Sequence, residues 1–298
     1  MLLIQQLLNG LVMGSVYGLF ALGFTLLFGV NHVLNMAYGS VFMWGAFAGL
    51  YAVTVLSVSF PVALLIGMAV GGVISVLLDL LAFRPLRRRN APDFSTIASS
   101  IGANLVLLTL AQKVSGTQVM RFPFDTFPTV ILQAFGLRIQ LLQLIVIAIA
   151  VGTVLALVYM LYRTGFGRRI RAVAFSERAS RLLGIDAGLV DMQVFFVSGA
   201  LAGIAGVLIG LAFNSVHYMM GEPFLMQAFV AIILGGLGSI PGALLGGLVM
   251  GIVQSLSYAY ISSAAAEAIT FAVLFAIILV RPTGLLGKAS TVMRVQRQ

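Results

Sequence analysis

The stretch RTGFGRRIRAVAFSERASRLLGIDAGLVDMQ (residues 163–193) is a polar island between two long apolar runs. It holds six of the chain's 17 Lys and Arg residues and three of its eight Asp and Glu residues. The segments on both sides are apolar enough to be buried in lipid. The island is therefore the largest surface that the chain can offer to an aqueous partner, and we predict that it is a docking site.

The composition around this island is that of a membrane protein. Of 298 residues, 61% are hydrophobic and 8% are charged, and the mean hydropathy is +1.12. Soluble domains average about 25% charged residues. Apolar windows of about 20 residues, enough to cross a bilayer, recur from end to end. We predict an all-α polytopic membrane protein with eight or nine transmembrane helices, forming a single transmembrane domain over residues 1–298. The first apolar run has no preceding Lys or Arg, so we expect a retained span rather than a secretory signal.

The basic residues lie at the ends of predicted spans. Fourteen of the 17 fall in three clusters, at residues 84–89, 163–181 and 281–297. By the positive-inside rule these span ends face the cytoplasm, and counting back from them favours an N-terminus outside. Because orientation accounts for the net charge of +9, we predict no nucleic-acid partner. Residues 115–139 are too broken for a span, and we expect them on the far side of the membrane.

Two polar breaks, at residues 31–35 and 214–222, each separate a long span from a Gly-rich run. Discontinuous helices at matching places in two halves are typical of a transport pathway at the bilayer midplane, so we predict interrupted helices and an internal repeat. Helices that begin just after Asn35 and Gly221 would direct positive dipole ends into that pathway, which suits a carboxylate. Plain interhelical loops are the alternative. The pathway candidates at the first break are Asn31, His32, Asn35 and Gly39.

Residues 235–242, GGLGSIPG, combine Gly, Ser and Pro in one segment. Proline blocks a straight continuous helix, and glycine allows a sharp reversal of the chain. Irregular backbone at membrane depth persists only where protein or water satisfies its polar groups. We predict a hinge or a cavity-lining turn, with an ordinary interfacial loop as the alternative. The candidate residues are Gly235, Gly236, Gly238 and Pro241.

Glycines also recur at four-residue spacing within the apolar runs. In lipid, close backbone approach over small residues supplies the van der Waals contact between helices, so we predict packing seams at these positions. Some seams would lie within the subunit and some against a second subunit. The glycine runs are Gly10/Gly14/Gly18, Gly45/Gly49, Gly67/Gly71, Gly199/Gly203, Gly206/Gly210, Gly242/Gly246 and Gly247/Gly251.

The chain has no motif that indicates catalysis. Gly287-Lys288 is followed by Ala289 rather than Ser or Thr, so we predict no ATP-binding loop. The two histidines lack metal-binding spacing, and there is no GxSxG nucleophile motif, so we predict no metal, no cofactor and no catalytic residue. Asp79 precedes Arg84 by five residues, and we expect its carboxylate to be paired or hydrated near the cytoplasmic interface.

Six stretches together resemble one family of membrane proteins. They are NGLVMGSVYGLFALGFTLLFGV (9–30), NMAYGSVFMWGAFAG (35–49), GFGRRIRAVAFSERASRLLGID (165–186), FFVSGALAGIAGVLIG (195–210), AFVAIILGGLGSIPGALLGG (228–247) and RPTGLLG (281–287). They resemble the permease subunits of the branched-chain amino-acid family of ABC importers and extend over most of the chain. The resemblance implies a non-enzymatic subunit in a heteromeric complex. Its partners would be a second related permease, two ATP-hydrolysing subunits and an extracytoplasmic solute-binding protein.

Within residues 163–193 the resemblance indicates a cytoplasmic coupling loop. A short helix over residues 176–183 would present Arg178 and Arg181 to an ATPase, and Gly184 would end it. Phe175-Ser176 departs from the amide-type pair of many relatives, which leaves the partner contacts open, and an ordinary basic loop is the alternative. The residues that resemble the coupling pattern are Ala174, Glu177, Ala179, Gly184 and Ile185.

We therefore predict a multi-pass permease of a bacterial or archaeal plasma (inner) membrane that imports branched-chain amino acids. Permeases for urea, short amides or other amino acids look similar, so these substrates stay open. A secondary transporter or channel would need charged residues deep in several spans, and this chain is poor in them. The interrupted helices argue against a scaffolding protein.

Overall fold

The computed structural model describes residues 2–31, 33–89, 91–123, 126, 131–134, 137–281 and 283–287, and nearly all of them are helical. A five-residue π-helical turn, Asp79–Phe83, joins α3 to α4. The helices are α1 (Leu2–Asn31), α2 (Tyr38–Thr54), α3 (Phe60–Leu78), α4 (Arg84–Arg88), α5 (Asp93–Ser115), α6 (Leu141–Arg163), α7 (Gly165–Phe175), α8 (Glu177–Leu182), α9 (Ala187–Ala212), α10 (Gly221–Gly235), α11 (Ile240–Tyr260) and α12 (Ser263–Val280).

The prediction of an all-α polytopic membrane protein is confirmed. In the described part of the chain, six helices are long and apolar enough to cross a membrane, namely α1, α3 with its extension to Arg88, α5, α6, α9 and α11. Helices α2, α10 and α12 are apolar but shorter. The prediction of eight or nine crossings counts these shorter helices as crossings too.

A small hairpin lies between α5 and α6, which the apolar pattern did not indicate. Strands β1 (Ile131–Ala134) and β2 (Leu137–Gln140) pair antiparallel, with Ile131 opposite Gln140 and Ala134 opposite Leu137. Four-residue strands are too short to show a clear alternation of apolar and polar residues, so the sequence carries little signal for them.

The described residues divide into two compact units whose boundaries fall within α1, α6 and α10. The α11 unit comprises Met1–Thr25, Phe127–Val151 and Met226–Gln298, and the α9 unit comprises Leu26–Thr126 and Gly152–Leu225. The single transmembrane domain over residues 1–298 stays a prediction, and each unit is described separately.

In the α9 unit, helices α2, α3 and α9 pack along a seam of glycines. A Cβ atom at Gly45 would lie 2.3 Å from the Cα of Gly203, and one at Gly71 would lie 2.4 Å from the carbonyl oxygen of Gly199. Neither position can hold a larger side chain without moving backbone. The predicted seams are confirmed here, because the backbones approach as closely as only glycine permits.

The α11 unit repeats this principle between α1 and α11. A Cβ atom at Gly14 would lie 2.8 Å from the Cα of Leu248, and one at Gly251 would lie 2.2 Å from the nitrogen of Gly14. Beside this seam, the hydroxyl of Tyr17 donates to Oε1 of Gln254 (2.5 Å), whose Nε2 donates to the hydroxyl of Tyr258 (3.0 Å). The two buried side chains, Tyr17 and Gln254, thus satisfy each other's polar groups, as groups away from water must, and Gln254 also reaches the exposed Tyr258.

Contacts along the axis of α9 show where the neighbouring helices of the α9 unit begin. Asp191 is in its second turn, and Ser198 is eleven residues after its first residue, about 16 Å along the axis at ~1.5 Å per residue. The hydroxyl of Tyr38, the first residue of α2, donates to the carbonyl oxygen of Ser198 (2.9 Å). Helix α2 therefore begins about half-way along α9, which confirms that the first polar break interrupts a helix at depth.

Candidate functional site

Residues 163–193 fold into two short helices and the start of α9, and each helix begins with a capping side chain. Oγ1 of Thr164 accepts from the nitrogen of Gly167 (3.2 Å), and Oγ of Ser176 accepts from that of Ala179 (3.2 Å). Asp186 Oδ1 accepts from the first backbone nitrogens of α9 at 2.9 and 3.2 Å. Such caps satisfy free N–H groups at helix starts, so this polar segment has a defined conformation.

Helix α7 is amphipathic, and two of its arginines face away from the protein, while Arg171 donates to the carbonyl oxygen of Leu161. Ile170 and Val173 are buried, whereas Arg168 and Arg169 are exposed. At its start, a Cβ atom at Gly167 would lie 2.0 Å from the carbonyl oxygen of Leu161, so glycine permits the tight turn from α6 into α7. The exposed arginines agree with their predicted role as orientation signals.

Helix α8 confirms the short helix predicted over residues 176–183. It runs from Glu177 to Leu182, and Gly184 ends it with φ = +78°, a conformation that favours glycine. The nitrogen of Ile185 donates to the carbonyl oxygen of Ser180 (3.0 Å), which completes the hydrogen-bonding pattern of a Schellman cap.

The surface of α8 combines charge with exposed apolar side chains. Arg181 forms an exposed ion pair with Glu177 (2.5 Å), while Arg178 and Ala179 are exposed and Ala174 and Ile185 are partly buried. Three large apolar side chains next to them are mostly solvent-accessible. These are Phe175 (73% exposed), Leu182 (86%) and Leu183 (79%).

A buried ionic network lies beside this segment, and the sequence did not reveal it. Arg87 forms an ion pair with Asp79, whose side chain is 0% exposed, and a second with Asp191 of α9 (3.5 Å). With its amide nitrogen facing Asp191, Asn31 donates to Oδ1 (2.9 Å) and accepts from Nη1 of Arg87 (3.3 Å). The guanidinium also lies 5.9 Å from the ring centre of Phe195. One arginine thus connects the ends of α1, α3 and α9.

The π-helical turn explains how Arg87, eight residues after Asp79, comes onto the same face as Asp79. Residues eight apart on a regular α-helix are offset by about 80° around the axis, whereas residues seven apart are offset by only about 20°. A π turn inserts one extra residue, so Asp79 and Arg87 lie on the same face. Side chains on a helix point towards its N-terminus, which directs Arg87 back to Asp79. The expected pairing of Asp79 is confirmed, and its partner is Arg87.

A cavity of about 210 Å³ lies between this ionic network and the predicted coupling segment, residues 174–186. Asn31, Arg87 and Asp191 line one part of it, and Val30 and residues 173–177 line the rest. The structure therefore brings the predicted residues Ala174 and Glu177 close to Asn31. The side chain of Asn31 contacts Asp191 and Arg87, and its predicted place on the pathway stays a prediction. His32 lies outside the described residues.

Asn35 and Gly39 lie at a junction between two half-helices. A Cβ atom at Gly39 would lie 2.6 Å from the carbonyl oxygen of Gly221, so the first turns of α2 and α10 are in backbone contact. Asn35 is fully buried, its Oδ1 accepts from the nitrogen of Ala37 (2.9 Å), and its Nδ2 has no partner among the described residues. Helix α2 starts at Tyr38, two residues later than predicted, whereas α10 starts at Gly221.

The second polar break leads into this junction. The backbones of Met120 and Val216 pair at 2.8 and 2.9 Å, and Oδ1 of Asn214 accepts from the nitrogen of Phe122 (2.8 Å). Partial burial lowers the pKa of His217 below its usual value. In the part of the chain that the structure describes, no cluster of three side chains could hold a metal ion.

The glycine-rich turn lies in the α11 unit, between α10 and α11. Gly236 and Gly238 have φ values of +104° and +80°, and Pro241 is in the first turn of α11, where its missing N–H is tolerated. The turn packs on the segment that follows the last span: the nitrogen of Leu286 donates to the carbonyl oxygen of Gly235 (3.0 Å). This contact favours the alternative of an interfacial turn, while a hinge role stays a prediction.

Apolar helices, a capped polar segment at one end and two half-helices that begin at depth define a multi-pass membrane permease. Comparison with known proteins agrees. Residues 6–280 match the family model described as branched-chain amino acid transport system / permease component, and the chain belongs to this family.

Curated relatives are similar over nearly their whole length. The high-affinity branched-chain amino acid transport system permease protein LivH of Escherichia coli (strain K12) is 31% identical over 96% of both chains, as is BraD of Pseudomonas aeruginosa. The probable branched-chain amino acid transport permease protein LivH of Methanocaldococcus jannaschii is 30% identical over 95% of this chain and 92% of its own. No solved structure matches the chain.

Proposed function

We propose that this chain is the membrane-spanning permease subunit of an ATP-driven importer for branched-chain amino acids. It would work in the plasma (inner) membrane with a second related permease, two ATP-binding subunits and an extracytoplasmic solute-binding protein. The observation that supports this most directly is the match of residues 6–280 to a transport-system permease family, together with a capped segment exposed beside the spans.

The ATP-binding subunit would bind the surface formed by α8 and its ends. Phe175, Leu182 and Leu183 are exposed at one end of the α9 unit, and burying such a side chain contributes about 1.5–3 kcal/mol. The capped geometry holds these residues in place before a partner binds, so little conformational entropy is lost on docking. The predicted coupling residues would then orient this apolar contact.

Arg87 would be a positioning residue for the same step. Its two ion pairs join the end of α3 to the start of α9, and Asn31 adds the end of α1. Both α7 and α8 contact α9. A displacement of α8 by an ATPase would therefore reach three spans through one guanidinium group.

The junction of α2 and α10 would lie on the translocation pathway. Two helix N-termini meet there, each with a positive partial charge that favours a carboxylate, and the buried Nδ2 of Asn35 is a further donor without a partner among the described residues. The stacked rings of Phe42 and Phe224, 4.9 Å apart, provide an apolar wall beside it. N–H donors that can bind a carboxylate, placed beside an apolar wall, suit an aliphatic amino acid better than they suit urea.

Reconstitution of the permease with its partner subunits in liposomes tests this function. We expect solute-binding protein loaded with leucine to stimulate ATP hydrolysis, and Gly184→Pro to abolish that stimulation because proline cannot adopt φ = +78°. Gly116→Pro is the matched control, since Gly116 also has positive φ (+59°) with open space around it and lies far from α8. Uptake driven by an ion gradient without ATP would refute the importer, and uptake inhibited by urea but not by leucine would change the substrate.

A further inference from the structure

A second cavity lies where α3 passes through the π turn into α4. It encloses about 250 Å³ and is lined by Leu80, Arg84, Pro85, Arg88 and Arg89. No carboxylate lines it among the residues that the structure describes. The cavity is thus strongly basic on its polar side and apolar where it meets the span.

Two of the arginines around this cavity, Arg88 and Arg89, are exposed and can bind an anion, unlike their neighbour Arg87. In the described part of the chain, Arg84, Arg88 and Arg89 form no ion pair, whereas Arg87 is bound to Asp79 and Asp191. Arg84 and Arg88 are one helical turn apart and project from the same face. Arg84 is partly buried and contacts Sδ of Met192 (3.9 Å), while Arg88 and Arg89 are exposed.

An apolar stripe runs from this cavity along the outer face of α3. Val73, Leu77 and Leu81 repeat every four residues and are 52%, 47% and 77% exposed. In a spanning helix such side chains contact acyl chains. A ligand with an anionic head and an apolar tail would occupy both parts at once, which a free phosphate ion cannot do.

We propose that Leu80, Arg84, Pro85, Arg88 and Arg89 form a binding site for the phosphodiester headgroup of an anionic phospholipid. The acyl chains lie along Leu77 and Leu81. Guanidinium groups bind phosphate oxygens through paired, charge-assisted hydrogen bonds, and a zwitterionic lipid would leave its ammonium group without an acidic partner in this cavity. Arg84–Arg88 lies at the same end of the α9 unit as the coupling segment, so the lipid belongs to the cytoplasmic leaflet.

Native mass spectrometry of the full-length permease tests this site. The protein is released from mixed micelles that contain equal amounts of phosphatidylglycerol and phosphatidylcholine. We expect the wild type to retain phosphatidylglycerol selectively. Arg88→Gln/Arg89→Gln should lower this retention about 30-fold, as expected for two basic residues near an anionic surface.

The matched control is Arg168→Gln/Arg169→Gln, which removes two adjacent exposed arginines from α7 and should leave retention unchanged. Equal loss in both double variants would overturn the proposal, because net charge alone would then explain binding. Leu81→Ser keeps every arginine but interrupts the apolar stripe, and we expect weaker lipid retention. Displacement of the lipid by inorganic phosphate, or equal retention of phosphatidylcholine by the wild type, would also rule out the site.

Discussion

Replacement of Arg87 by Gln should destabilise the α9 unit, because it leaves a carboxylate buried without its cation. The side chain of Asp79 is 0% exposed, and its Oδ2 already lacks a partner among the described residues. Removing one partner of a buried ion pair typically costs 3–5 kcal/mol. Since the Arg87 side chain is 28% exposed, water reaches part of the site, and we expect about 3 kcal/mol, the lower end of that range.

Thermal unfolding of the purified permease measures this loss. Trp44 is the chain's single tryptophan and belongs to α2, so its fluorescence reports on the α9 unit. A loss of 3 kcal/mol corresponds to a fall of roughly 6–10 °C in the unfolding midpoint. The double variant Asp79→Asn/Arg87→Gln leaves only the Asp191 carboxylate, which is 14% exposed, without its cation, so we expect it to recover most of that loss. The control is Arg178→Gln, which removes an exposed arginine and should change stability by less than about 0.5 kcal/mol.

Two outcomes would contradict this reasoning. If Arg87→Gln lowers the midpoint no more than Arg178→Gln does, the buried ion pair does not stabilise the fold. If the double variant is no more stable than Arg87→Gln alone, the unpaired carboxylate of Asp79 is not the cause of the loss. A double-mutant cycle separates these two cases.

Two further predictions concern the packing and the depth of α2. Gly203→Ala should reduce stability by about 1–3 kcal/mol, because its Cβ would lie 2.2 Å from the carbonyl oxygen of Gly67. Gly102→Ala, which has nothing within 4 Å, should be neutral in the same thermal assay. Tyr38→Phe removes the hydrogen bond to Ser198 and should lower the free energy of unfolding by about 1 kcal/mol. It should also reduce the number of amino acids imported per ATP hydrolysed. Tyr51→Phe is the control, since its hydroxyl makes only long contacts, 3.4 Å with the carbonyl oxygen of Val114 and 3.8 Å with Sδ of Met120. An unchanged transport ratio in Tyr38→Phe would show that this hydrogen bond does not transmit motion.

Much of the fold follows from the sequence because lipid imposes simple rules. The first apolar run, which the sequence predicts as a retained span, is a continuous helix from Leu2 to Asn31. The end of α8 also follows from the sequence, which predicts that Gly184 ends the helix, and in the structure Gly184 has a left-handed backbone conformation. In both cases a local feature, an apolar run or a glycine after a polar helix, determines the result without help from distant residues.

The site was less predictable because it depends on register and on contacts between distant segments. Periodicity arguments assume a regular α-helix, so they could not show that a π turn brings Arg87 onto the face of Asp79. Asn31 was grouped with the pathway because it is near Asn35 in sequence. Asn31 contacts Asp191 in the second turn of α9, whereas Tyr38, three residues after Asn35, contacts Ser198 near the middle of that helix.

Helix α9 links these features into one mechanical path. Its first residue follows the Asp186 cap at the end of the coupling segment, its second turn carries Asp191 in the Arg87 network, and its middle accepts the hydrogen bond from Tyr38. The glycine seam with α2 and α3 has almost no free space, so α9 cannot move without moving its neighbours. A displacement that begins at α8 would therefore reach the contact between Gly39 and Gly221 by rigid packing, and the half-helices would separate without any flexible intermediate.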